Sequence, residues 1–117
     1  MLTGMVDEVI PVLRVTDIAR ALAWYERLGF FEEWTHRFSA DLPAFASVAR
    51  HQGARLFLSE HEGDARPDTL VYVRVAEIDE VAREFGQPVE QQPWGAEVHL
   101  TDPDGNRLRV GPPARAV

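Results

Sequence analysis

The chain has no cysteine, no lysine, only two methionines and no apolar run as long as a membrane span. Without cysteine there are no disulfides, no thiolate metal sites and no cysteine nucleophile. Without ~20 consecutive apolar residues, no spanning helix is expected. The opening MLTGMVDEVIPV lacks a basic segment followed by a long apolar one, so no signal peptide is expected and a cytoplasmic, soluble protein is the default. Positive charge is scarce: 12 arginines against 19 acidic residues leave a formal net charge of −7. That balance argues against a phosphate-backbone binder, so no nucleic-acid partner is expected. It is compatible with a cationic ligand or simply with a soluble surface.

What is present is a 117-residue chain, 45% hydrophobic, with the length of one domain (1–117). Such a chain buries roughly two-thirds of its unfolded surface. One phrase occurs twice: GARLFL at 53–58 and GNRLRV at 105–110, an offset of 52. A second echo has an offset of 60, with LRVTDI (13–18) returning as VRVAEI (73–78). Each second echo runs from a strand-like stretch, VIPVLRV (9–15) or LVYVRV (70–75), into a helical pattern. In the first helix Ile18, Ala21, Leu22, Tyr25 and Leu28 form the apolar stripe. Thr16 or Asp17 can supply the cap, and Gly29 suits a left-handed stop. In the second helix Ile78, Val81, Ala82 and Phe85 form the stripe and Gly86 ends it. Strand-like stretches follow, among them EVHLT (97–101) and NRLRV (106–110) around the turn DPDG.

Each half therefore reads β-α-β-β-β, with module one at about 7–59, a polar linker at 60–67 and module two at about 68–111. The expected fold class is α+β: two βαβββ modules forming a curved mixed sheet around a cleft. The repeat is one of architecture, and its fifth position is Phe57 in one copy and Arg109 in the other.

These residues resemble the vicinal-oxygen-chelate superfamily (glyoxalase, bleomycin resistance, dioxygenase). The likeness is carried by VIPVLRVTDIARALAWYERLGF (9–30), FASVARHQGARLFLS (45–59), PDTLVYVRV (67–75) and QPWGAEVHLTDPDGNRLRV (92–110). The LGF after the first helix and the DPDGN turn are common to the superfamily. The QPWG stretch is similar to the branch of bleomycin-resistance binding proteins.

Metal-dependent members take ligands from four inward strand positions, which correspond here to Ile10, Phe57, Leu70 and Arg109. Three of these have no donor atom and the fourth is a fixed cation. No metal and no other cofactor is therefore expected. Metal-dependent glyoxalase or dioxygenase catalysis is not expected either.

The resemblance instead implies a non-catalytic antibiotic-resistance protein that sequesters bleomycin-type glycopeptides. The implied assembly is a homodimer with shared crevices, an exchanged N-terminal strand and Pro11 near the crossing. Two rings from different subunits hold the flat drug in that branch, and they correspond here to Phe45 and Trp94. Aromatic faces stack on flat heterocycles and attract cations. Phe57, Tyr72 and Trp34 either extend this lining or pack the core. Phe30 and Phe85 read as core, and Trp24 and Tyr25 as structural.

His99 alternates with Val98 and Leu100, so it faces the cleft beside Glu97 and opposite Arg109. This trio is either a polar lining or an acid–base device, and in the latter case the protein is a lyase- or isomerase-type enzyme without the usual metal. A binder of another ligand is a further alternative. His36, His51 and His61 read as surface residues. Glu32, Glu33, Asp41, Glu60, Glu62, Asp64 and Asp68 form an acidic rim for a cationic tail, or only a solvated face. Arg109 is either neutralised by Glu97 or meets an anionic or carbonyl group of the ligand.

Overall fold

Each half runs strand, helix and then three strands, as the two echoes predict. The computed structural model describes residues 6–51 and 53–114. Residues 1–5, on which the expectation of no signal peptide partly rests, lie outside the described residues, as do the last three positions of the 1–117 span.

The elements are β1 (Val12–Arg14), α1 (Ile18–Arg27), β2 (Phe31–His36), β3 (Phe45–Ala49), β4 (Arg55–Ser59), β5 (Leu70–Arg74), α2 (Ile78–Phe85), β6 (Glu90–Gln92), β7 (Gly95–Thr101) and β8 (Arg107–Gly111). They form two four-stranded mixed sheets, ordered β1-β4-β3-β2 and β5-β8-β7-β6, with no closed barrel. In each sheet the first strand runs parallel to the last, and the others are antiparallel. β1 is shorter than the apolar run 9–15, although Pro11 still accepts a bond from the Phe57 amide at 2.9 Å.

The register reproduces the sequence echoes. Val12 pairs with Phe57 in the first sheet and Tyr72 with Arg109 in the second. Ser47 pairs with Phe57, and His99 with Arg109. Successive side chains on a strand alternate between faces, so each matched pair places equivalent side chains on equivalent faces.

Local chemistry accounts for the helix ends. Asp17, rather than Thr16, caps α1: its carboxylate accepts from the Arg20 amide at 3.2 Å. Glu60 adds a cap from across the module, accepting from the amides of Ile18 at 2.7 Å and Ala44 at 2.9 Å. α2 has no side-chain cap and ends on Gly86, whose φ of 63° suits a residue without a Cβ.

One apolar cluster spans both halves. It includes Leu13, Val15, Tyr25, Phe30, Val48 and Leu58 from module one, with Val73, Val98, Leu108 and Val110 from module two. α1 covers one face of the first sheet and α2 one face of the second. The helices meet where Trp24 packs on Phe85 and Arg27 pairs with Glu84 at 2.8 Å.

A buried polar joint completes the union. The Tyr25 hydroxyl donates to Asp102 at 2.7 Å, and Asn106 donates to the Arg14 carbonyl at 2.8 Å. The molecule is a slab of 48 × 43 × 21 Å with a radius of gyration of 15.1 Å. A compact chain of this length has about 13 Å. The sheets therefore lie side by side, and the face of each that is turned away from its helix is left open.

Candidate functional site

On the open face of the first sheet the rows of β2, β3 and β4 bring three rings together. Trp34 stacks on Phe45 with centroids 6.0 Å apart, and Phe57 lies 5.1 Å from Phe45 and 5.6 Å from Trp34. Trp34 keeps 46% of its surface exposed, while Phe45 and Phe57 are half-buried. Offset and tilted pairs of this kind hold each ring in a defined orientation while leaving faces available. Beside them Arg55 donates to both oxygens of Glu33, at 2.7 and 2.9 Å, and also pairs with Glu8; Ser47 donates to Glu33 at 2.7 Å. The Arg55 and Ser47 bonds hold the Glu33 carboxyl down at about 2.

The open face of the second sheet is polar at the equivalent positions. Glu97 stands where Phe45 stands in module one, His99 where Ser47 stands and Arg109 where Phe57 stands. Glu97 is fully buried, and three side chains converge on its carboxylate. The indole N–H of Trp94 donates to one oxygen. Arg109 donates to the other from Nε and Nη2, at 3.1 and 2.9 Å, and His99 Nε2 lies 2.9 Å from the same oxygen. The Trp94 bond, ahead of those from His99 and Arg109, pulls the Glu97 carboxyl below its ordinary range against the opposing effect of burial.

Trp94 itself is 65% exposed, on the turn between β6 and β7. Its edge is pinned by Glu97 and the Arg109 guanidinium lies 5.8 Å from the ring centroid. A hollow of about 900 Å³ extends from this ring over Tyr72, Arg74 and Gln92 to Pro112 and Pro113.

The expected site residues thus fall into two groups. Trp34, Phe45 and Phe57 share one open face; Tyr72, Trp94, Glu97, His99 and Arg109 share the other. No hydrogen bond, ion pair or ring contact joins the groups within one chain among the described residues. Tyr25 and Phe30 are core, as their helical spacing and position predicted, and Phe85 and Trp24 pack against it. Of the expected rim acids, Glu60 is occupied in capping and Asp64 accepts from Ser59 at 2.7 Å, whereas Asp41, Glu62 and Asp68 are exposed. The sequence did not reveal Trp94's bond to Glu97, because two residues three apart across a tight turn carry no periodic signal.

The four positions that would hold a metal do not fit one. Ile10 is half-buried just ahead of β1, Phe57 lies in the aromatic cluster, Leu70 is an exposed aliphatic residue, and Arg109 carries a fixed charge paired with Glu97. Among the described residues no group of three or more His, Asp or Glu is arranged to hold an ion. No described helix is long and apolar enough to cross a membrane.

This geometry defines a small α+β scaffold of two pseudo-equivalent halves with uncovered sheet faces. The family model described as "Glyoxalase superfamily protein" matches residues 3–114, and the chain belongs to that superfamily. Among solved structures it is similar to the bleomycin resistance determinant encoded on the transposon Tn5. The identity is 23% and the TM-score 0.74, covering 94% of this chain and 100% of that one. It is also similar to the bleomycin-binding protein from bleomycin-producing Streptomyces verticillus, complexed with copper(II)-bleomycin. Here the identity is 26% and the TM-score 0.68, with 94% and 100% covered. A third is a member of the glyoxalase/bleomycin resistance protein/dioxygenase superfamily from Sphaerobacter thermophilus DSM 20745, at 22% identity and TM-score 0.73, with 93% and 99% covered. No curated protein matches the chain.

Proposed function

We propose that this protein is a non-catalytic binder, one domain of two modules, that sequesters a flat antibiotic of the bleomycin type in crevices shared by two copies. The observation that carries this reading is the uncovered aromatic cluster of Trp34, Phe45 and Phe57, whose pseudo-equivalent face carries the pinned ring of Trp94. Neither face closes a crevice within one chain, but a two-fold axis can lay the first sheet of one copy over the second sheet of its partner. Phe45 of one protomer and Trp94 of the other then clamp the heterocycle, with Tyr72, His99 and Arg109 beside it.

Exchange of the segment ahead of Val12 belongs to the same reading. Val6 and Val9 are 80% and 93% exposed, with little of their own chain to pack against. The likeness to bleomycin-binding proteins over nearly the whole chain supports the ligand class. Resistance would follow from lowering free drug without changing it chemically.

The state of Glu97 speaks against an acid–base role for the trio. Its oxygens are engaged by three side chains and its carboxyl is held in the ionised form, so it is a poor proton carrier near neutral pH.

The test is a titration with metal-free bleomycin in chelator, followed by tryptophan fluorescence, alongside sedimentation to establish the dimer. Saturable quenching at about one drug per subunit, weakened about tenfold or more in Trp94→Ala, is the expected result. A monomer, or a drug affinity untouched by that substitution, refutes the shared clamp.

A further inference from the structure

The two halves treat one equivalent arginine differently. Arg55 on β4 and Arg107 on β8 occupy the same place in the 52-residue echo, opposite Ala49 and Thr101 respectively. Arg55 is enclosed by Glu33 and Glu8. The guanidinium of Arg107 makes no ion pair or hydrogen bond among the described residues, and the residue is exposed.

The backbone explains the difference. β2 runs alongside most of β3 and supplies Glu33 from its bulge, whereas β6 is three residues long and pairs only with Gly95–Glu97. The chain leading into β6 at the corresponding level is Gln87, Pro88 and Val89, which carries no carboxylate.

Arg107 borders a hollow of about 370 Å³ on the same open face, lined also by Leu70, Thr101, His99 and Arg109. Register places Leu70, Arg107 and Thr101 in one row across β5, β8 and β7, and Tyr72, Arg109 and His99 in the next. Arg109 directs Nε and Nη2 to Glu97, leaving Nη1 without a protein partner. Glu97 is already saturated, and Glu90 lies on the far side of His99, 3.5 Å from its Nδ1. The hollow thus offers cationic donors, a threonine hydroxyl and one apolar wall, and no carboxylate lines it.

We propose that this hollow is an oxyanion subsite in which Arg107, with Nη1 of Arg109, takes a carboxylate carried by an aromatic ligand. Planar guanidinium groups bind carboxylates in paired, charge-assisted hydrogen bonds. In module one that counter-charge is built into the chain as Glu33; in module two the ligand supplies it. The proposal rests on the reading that this face binds ligand, and it adds that the face accepts an aromatic acid, with the ring on the aromatic faces and the acid at Arg107.

The probe is 2-naphthoate, compared at low salt with its neutral isostere 2-naphthamide on the intact protein. The expected result is a preference for the acid on the order of tenfold, shrinking as salt is added. The preference falls to about one in Arg107→Gln, is partly restored in Arg107→Lys and persists in Arg83→Gln, which changes the net charge equally on an exposed face of α2. Equal binding of acid and amide, or a preference unchanged in Arg107→Gln, overturns the subsite. If neither naphthalene binds while metal-free bleomycin does, the subsite fails and the sequestration reading stands. If bleomycin fails while the Arg107-dependent preference persists, the subsite stands and the bleomycin assignment falls.

Discussion

Removing the Tyr25 hydroxyl tests how much one buried bond adds to the union of the two modules. Tyr25 is fully buried on α1, and its hydroxyl donates at 2.7 Å to Asp102, 4% exposed at the end of β7. Burial, and then the charge of Asp102, push the phenol well above its ordinary range, so it stays a neutral donor. In Tyr25→Phe the ring keeps its edge contacts with Trp24 at 4.8 Å and Phe30 at 6.3 Å, so no packing is lost.

The Asp102 carboxylate is not orphaned by this change. It still accepts from the amides of Asp104 at 2.8 Å and Asn106 at 2.9 Å, and from the Asn106 side chain at 3.0 Å. The loss is therefore one hydrogen bond to a charged acceptor, about 1.5–3 kcal/mol, without the larger penalty of a buried unpaired charge. Urea unfolding at fixed protein concentration should show the unfolding free energy falling by that amount, through a lower midpoint at an unchanged slope. A loss below about 0.5 kcal/mol would mean that the bond barely exceeds what water offers the unfolded chain, and that the remaining contacts between the halves carry their union.

Two further outcomes follow from the same geometry. Glu33 is held down at about 2 against an ordinary 4.5, so its contribution to stability is complete above 4.5 and is lost as pH falls through 2. Its side chain is 34% exposed, so Glu33→Gln should cost only about 1 kcal/mol at pH 7 after solvent screening, and the gap from the parent should close between pH 5 and 2. A gap that widens on acidification contradicts the assignment. A Cβ at Gly111 would collide with the Tyr72 hydroxyl, so Gly111→Ala should swing that exposed ring aside. The cost is about 1 kcal/mol, the low end for an overpacked site; a crystal structure with Tyr72 unmoved would refute this.

Much of the scaffold is legible in the chain because it is written in local periods. The alternation in VIPVLRV and EVHLT, the stripe from Ile18 to Leu28 and the glycine stops are dictated by which faces must avoid water. The two echoes also set the register, and with it the neighbourhood of His99 and Arg109. The chemistry at those positions was open to two readings in sequence. Whether Arg109 was neutralised within the chain or awaited a ligand depended on where Glu97 pointed. The acidic rim likewise looked uniform along the chain, yet Glu60 caps a helix and Asp41 meets solvent.

The sequence by itself determined two repeated modules, their strand and helix order, the metal-incompatible residue set and the aromatic candidates, because side-chain chemistry and short periods act over a few residues. Only the tertiary structure decided that the sheets lie side by side, that the aromatic and polar groups occupy separate open faces, and that Arg55 is enclosed while Arg107 is not. Those outcomes depend on contacts between residues tens of positions apart, where a bulge in β2 or a late start to β6 changes what an identical arginine can reach.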